Sequence, residues 1–225
     1  MPPILHAAVA AIAAVLPWPL KRAVYRYALG YDMHPGARVG LSLITVRRFV
    51  LAEGARVGHL NLIRNLDEVR LEEHAAIGNL NWINAVPAGA PDRLTHAPER
   101  QPTLLVRRHG TITYGHFLDC SDRVEIGEFA IIGGFRCQIL SHSVDLDVGN
   151  VLCAPVRLGD YSFVATACVV LPGAELSHHA VVGAASLLRR MDTEPYSLYS
   201  GVPAQFVKRV PEDWSYFTRT TGKLD

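Results

Sequence analysis

Two short segments place an imidazole near a carboxylate: Tyr114-Gly115-His116-Phe117-Leu118-Asp119-Cys120 and Ser141-His142-Ser143-Val144-Asp145. A neutral imidazole, with an unperturbed pKa of about 6.5, accepts a proton at pH 7, and a carboxylate on its other nitrogen holds the ring in one orientation. On this chemistry alone neither stands out among ten histidines; His142 is a candidate base and His116 a candidate for binding an acceptor. The plainer reading of each is a solvated loop histidine or a satisfied polar residue. His116 stands 26 residues before His142, so adjacent turns of a repeating backbone would bring them near each other. His178 and His179 fall between apolar positions and read as solvent-facing turn residues. Asn79, Asn81 and Asn84 flank Trp82. Amide side chains donate and accept, which suits sugar hydroxyls and equally suits a hydrogen-bonded ladder along the chain. Cys120, Cys137, Cys153 and Cys168 show no CxxC spacing and read as buried free thiols of a reducing compartment.

The backbone that must position these groups declares itself as a repeat. Leu158, Val164, Val170, Leu176, Val182 and Leu188 fall six residues apart, and Ser162, Cys168, Ala174, Ala180 and Ser186 follow at a fixed offset of four. A period of six is neither helical nor a simple strand alternation. It is the spacing of a coil with three flat sides, an aliphatic residue pointing inward on each and a small residue near each corner. Gly36-Ala37-Arg38-Val39-Gly40 and Gly54-Ala55-Arg56-Val57-Gly58 are near copies 18 residues apart, one full turn of such a coil. Leu51, Val57, Ile63 and Val69 continue the pattern, which slips by two and resumes at Ile77 and Ile83. Stacked turns bury what one turn cannot, and the open ends need caps.

This pattern predicts three parts: an apolar and basic helical cap over 1–33, a parallel β-helix over 34–190, and an irregular C-terminal tail over 191–225. Pro- and Gly-rich stretches at about 85–110 and 141–155 lack the period and read as loops thrown out from the coil.

The chain resembles the left-handed β-helix acyltransferases, the hexapeptide-repeat transferases. The residues that carry the likeness are Leu158-Gly159-Asp160-Tyr161-Ser162-Phe163-Val164, Val170-Leu171-Pro172-Gly173-Ala174, Val182-Gly183-Ala184-Ala185-Ser186 and Gly201-Val202-Pro203-Ala204. The likeness spans about residues 34–210 and is strongest to acetyltransferases of bacterial surface-polysaccharide biosynthesis. It implies an all-β, left-handed parallel β-helix, a homotrimer with sites between neighbouring prisms, and acetyl-coenzyme A or another acyl-coenzyme A as donor. It implies a catalytic histidine just upstream of the strong repeat, a position that His142 matches. Many relatives carry Pro after that histidine; Ser143 departs from them and sets the chain apart from the small-sugar and maltose-type branch.

On this resemblance His142 is the general base that deprotonates a sugar hydroxyl, or alternatively an amine, with Asp119 or Asp145 orienting its ring. His116, Asp119 and Asn84 stand on the acceptor side. Ala165, Gly183 and Ala184 would lie along the pantetheine arm. Gly201 and Pro203 match the segment near the adenine, and Lys208, with Arg209 beside it, would meet the 3′-phosphate. A β-helix carbonic anhydrase is the competing enzyme class. It needs three histidines on one zinc, and no third histidine closely follows His142, so no metal is expected. A β-helix scaffold without activity is the other alternative.

Composition narrows the partners. With 49% hydrophobic and 19% charged residues the chain has a sizeable core, and a net charge of +1 gives no basic excess for nucleic acid. Residues Ile4 to Leu16 are apolar apart from His6 and stop at Pro17 and Pro19. That run is short of the roughly 20 residues that span a bilayer. No Lys or Arg precedes it, which makes a poor signal peptide. Leu20 to Leu29 carries Lys21, Arg22 and Arg26, and no acidic residue occurs before Asp32. Residues 1–29 thus read either as a cap on the coil or as an interfacial helix on anionic lipid. The expected location is the cytoplasm, with peripheral contact at the inner face of the membrane on the second reading.

Overall fold

The computed structural model describes residues 2–90, 94 and 97–222. Among the described residues, short and mostly parallel strands wind into three sheets of seven, nine and seven strands: the three-sided coil that the hexapeptide spacing predicts and the left-handed parallel β-helix that the resemblance implies. The core is three columns of aliphatic side chains in register. Met33, Leu51, Leu71, Val106, Ile126, Leu158 and Leu176 line the first face. Val39, Val57, Ile77, Ile112, Ile132, Val164 and Val182 line the second. Ile44, Ile63, Ile83, Leu118, Ile139, Val170 and Leu188 line the third. All are buried, each contributing roughly 1.5–3 kcal/mol of hydrophobic stabilisation.

The corners are built differently from one another. Between the first and second faces, His74, His109, Phe129, Tyr161, His179 and Tyr196 hold left-handed backbone, with φ between 52° and 58°. Their rings stack one on the next, with centroids 4.6–5.0 Å apart. Such a backbone costs on the order of 1 kcal/mol per residue. Each ring pair returns about 0.5–1.5 kcal/mol, which offsets it. The sequence expectation for His179 is thereby corrected: it is half-buried inside this stack, and only His178 faces solvent.

At the corner between the second and third faces, small and polar residues form a ladder. Asn61 Nδ2 donates to Ser42 Oγ at 3.1 Å, and Asn81 Nδ2 donates to Asn61 Oδ1 at 3.1 Å. The His116 N–H donates to Asn81 Oδ1 at 3.0 Å, and the Cys137 N–H donates to His116 Nδ1 at 3.0 Å. Of the two roles open to these asparagines, Asn81 takes the structural one. Asn79 Oδ1 likewise accepts from the His59 N–H.

Two excursions interrupt the coil. The first closes earlier than its composition suggests, because Leu104 and Val106 already point inward and the strand Thr103–Val106 resumes the first face. The second holds an antiparallel hairpin, His142–Asp145 with Asn150–Cys153.

At the N-terminal end, α1 (Pro3–Val15) and α2 (Trp18–Ala23), followed by a wider turn over Val24–Ala28, close the first coil. The Tyr25, Tyr31 and Phe49 rings pack under them, and the Tyr31 hydroxyl donates to the carbonyls of Ile44 and Val46. Burial pushes the Tyr31 phenol up to about 12.

The C-terminal segment is more ordered than expected. Ser197–Gly201 adds to the second face beside Val181–Val182 and turns back as Ala204–Arg209. A short helix, α3 (Ser215–Thr218), then packs Tyr216 against Phe163, and the Arg219 guanidinium lies over Phe129, Tyr161 and Tyr216. Tyr216 and Arg219 thus pack beside Phe163 and the Phe129–Tyr161 corner, where the hexad pattern alone supplies no cover.

Candidate active site

The strand Phe117–Asp119 is a rung of the third face, flanked by Trp82–Asn84 and by Gln138–Leu140. Leu118 points into the core, and Asp119 lies buried at the next corner. His142 begins the hairpin two residues after Leu140, so the coil brings it beside Asp119 although 23 residues separate them. The His142 Nδ1–H donates to Asp119 Oδ2 at 2.5 Å. The backbone N–H of His142 donates to the same oxygen at 3.1 Å and that of Ser141 at 3.2 Å. Ser141 Oγ donates to it at 3.3 Å. The other oxygen, Oδ1, accepts from Ser121 Oγ at 2.6 Å and from the Ser121 N–H at 3.2 Å.

The electrostatics follow from this wiring. Burial alone would raise the Asp119 pKa, but donors from His142, Ser121 and Ser141 outweigh it and hold the carboxyl below its ordinary value. An ionised carboxylate only accepts, so Nδ1 of His142 carries the hydrogen and Nε2 is left to exchange a proton. The hydrogen bond to Asp119 raises the His142 pKa; burial and the nearby Arg100 charge oppose the rise. The imidazole is 38% exposed, so its free edge is open to a substrate.

The choice between Asp119 and Asp145 falls to Asp119. Asp145 turns the other way and accepts from the Asp147 N–H at 3.0 Å inside the hairpin turn. Asp119 is in turn removed from the acceptor side. It is buried with both oxygens engaged, one by Ser121 and the other by His142. His116 also leaves the acceptor side. Its Nδ1 accepts from Cys137, its Nε2–H donates to Thr113 Oγ1 at 2.8 Å, and burial pushes its pKa down to about 4. Asn84 occupies the rung next to Asp119, half-buried, with Oδ1 accepting from Arg64 Nε at 3.3 Å and Asn65 Nδ2 at 3.4 Å.

The proposed donor contacts lie elsewhere on the coil. Ala165 and Gly183 end successive strands of the second face, where their N–H groups donate to Val182 and Tyr199. Ala184 follows Gly183, and the Gly201 N–H donates to Ser186 Oγ at 3.1 Å, so all four share the ladder corner. A Cβ on Gly183 would stand 2.9 Å from Ser200 Oγ, so the chain's own packing requires its smallness. Pro203 lies at the tip of the C-terminal hairpin, and Lys208 near its opposite end, paired with Leu198. From the ladder corner to His142 the chain crosses the width of the third face, about 13 Å at 3.3 Å per strand residue. The donor contacts and the imidazole thus stand at opposite edges of the third face.

Three participants carried no signal in the sequence. Ser121 and Ser141 grip Asp119 through both backbone N–H and hydroxyl, and Arg100 donates to the carbonyls of Val86, Pro87 and Ser121, pinning the first loop beside the site. Cys153 is the cross-strand partner of His142.

No protein-family model matches this sequence, and no curated protein matches it. Among solved structures the chain is similar to the polySia-specific acetyltransferase NeuO, with 15% identity over 80% of each chain and a TM-score of 0.52. It is also similar to the polysialic acid O-acetyltransferase OatWY, with 16% identity over 80% of this chain and 84% of that one, at a TM-score of 0.52. At these identities the likeness is one of fold.

Proposed function

We propose that this protein is an acyltransferase that moves an acetyl group from acetyl-coenzyme A to a hydroxyl of a sugar or glycan. The observation that carries this reading is the Asp119–His142 pair, an imidazole locked in one tautomer by a buried carboxylate and open on its other edge. His142 Nε2 takes the acceptor proton as the hydroxyl oxygen attacks the thioester carbonyl. The tetrahedral intermediate collapses, the carbon–sulfur bond breaks, and the imidazolium returns the proton to the leaving thiolate. Asp119 stabilises that imidazolium and keeps Nδ1 protonated. The fold shared with two acetyltransferases of sialic acid polymers supports both the donor and a sugar acceptor.

A homotrimer belongs to the same proposal. Leu60, Leu80, Trp82, Tyr114 and Phe135 form an exposed apolar strip along the third face and its ladder corner, whereas the first face is laced with ion pairs such as Arg70–Glu68 and Arg107–Glu125. A neighbouring copy packed on that strip would bring its own Ala165, Gly183, Ala184, Gly201, Pro203 and Lys208, as donor contacts, toward His142 and Asn84. The carbonic anhydrase alternative is disfavoured because both ring nitrogens of His116 are committed within the coil.

The test is release of free thiol from acetyl-coenzyme A with a panel of sugars, oligosaccharides and glycolipids, comparing the native enzyme with His142→Ala. The expected result is acceptor-dependent release by the native enzyme, reduced about 10²–10⁴-fold in the variant. Equal turnover by both removes His142 from the mechanism, and no turnover with any acceptor returns the chain to the scaffold reading.

A further inference from the structure

The cap at the N-terminal end has two sides, and the coil uses only one. The inner side of α1 buries Ala10 and Ala13 and sets His6 against the Tyr31 ring. Among the described residues nothing covers the outer side. Ile4 is 86% exposed, Ile12 61% and Val15 73%, on a 13-residue helix that contains no charged residue. Leu20 and Tyr27 continue the exposed apolar surface. Arg22 and Arg26 line a shallow recess with Tyr27, and the Arg26 guanidinium lies 5.8 Å from the Tyr27 ring centroid. The sequence carries no Asp or Glu before Asp32. Lys21 is turned inward, its Nζ donating to the Gly40 carbonyl at 2.5 Å, so the outward charge rests on exposed Arg26 and half-buried Arg22.

We propose that the outer side of this cap is a docking surface for a bilayer containing anionic lipid. α1 would lie in the plane of the interface with Ile4, Leu5, Ile12 and Val15 among the acyl chains and Arg22 and Arg26 at the phosphate level. No helix among the described residues is long and apolar enough to cross a membrane, so the contact is peripheral. The surface is a row of exposed branched side chains on one side of α1, which a fluid interface accommodates without a shaped groove. A second copy is the poorer occupant. Self-contact would set Arg22 and Arg26 against their own counterparts, and the segment through Tyr31 holds no carboxylate to pair with them. Against anionic headgroups the same arginines are attracted, each by about 1 kcal/mol near the surface. The surface is distinct from the Asp119–His142 site and does not depend on the reaction assigned there.

The test is flotation of the full-length protein with vesicles of phosphatidylcholine alone and of phosphatidylcholine with about 30% phosphatidylglycerol, at low and high salt. The native protein is expected to float with the anionic vesicles, about tenfold more than with neutral ones, and to lose most of that excess in 0.5 M salt. The double substitution Ile4→Glu with Ile12→Glu should abolish flotation without changing the melting temperature, because both side chains are already exposed. The single substitution Arg26→Glu should weaken it about tenfold or more. Native protein that stays unbound at every composition overturns the proposal, as does a double variant that floats like the native protein. A double variant that loses a subunit in sedimentation without vesicles also overturns it, since the surface would then belong to a second copy.

Discussion

At the start of the strand Phe117–Asp119 the coil buries a histidine, and at the end of the same strand it buries a carboxylate that grips another. His116 is a structural imidazole. Both its nitrogens are consumed by the chain, and burial drives it neutral, down to about 4. His142 spends one nitrogen on Asp119, keeps an exposed edge, and is shifted upward by that partner. The residue type is the same and the rungs are neighbours. What separates a ladder member from a candidate base is whether the second nitrogen is already satisfied, and whether an ionised carboxylate stands behind the first.

Substitution at the two positions should therefore dissociate stability from turnover. His116→Ala orphans the buried Cys137 N–H and removes the donor to Thr113 Oγ1, and should cost about 2–3 kcal/mol. In a chain of this size that lowers the melting temperature by roughly 5–10 °C, measured by calorimetry, with turnover per folded molecule retained. His142→Ala should do the reverse: Asp119 keeps the Ser121 and Ser141 donors and the His142 backbone N–H, so the melting temperature falls less than in His116→Ala while turnover is lost. If both variants lose stability alike, the contrast between the corners collapses. A smaller effect belongs to Arg100. Its charge opposes protonation of His142, so Arg100→Ala should move the acid limb of the pH–rate profile to higher pH. An unmoved limb would leave Arg100 as a pin for the first loop and nothing more.

Most of the coil was legible because each turn must bury one aliphatic residue per face, and that obligation prints itself every six residues, as in Leu158 to Leu188. The ring stack was not legible. His74, His109, Phe129, Tyr161 and His179 share a corner, but the two excursions fall between them and break any fixed spacing. The C-terminal rung Ser197–Gly201 escaped for a related reason: it pairs through its backbone with Val181–Val182 and closes the sheet with a hairpin rather than another hexad. The position of His142 came from the resemblance. The hydrogen bonds that favour Asp119 over Asp145 are set by the fold, since most of the Asp119 donors are backbone N–H and hydroxyl groups of Ser121 and Ser141, which no spacing marks. The cap shows the same limit from the other side: its apolar run is plain in the sequence, whereas the split between an inner face on Tyr31 and an outer face on solvent needs the fold.

The most direct test of the central claim, that a carboxylate-held imidazole takes the acceptor's proton, is the pH dependence of kcat/KM for acetyl transfer in the native enzyme and in Asp119→Asn. The neutral imidazole is the active form, so activity should rise with pH through the raised His142 pKa. Removing the carboxylate's charge removes the cause of the rise, and the acid limb should move to lower pH while the maximal rate falls. An acid limb at the same pH in both proteins would contradict the account.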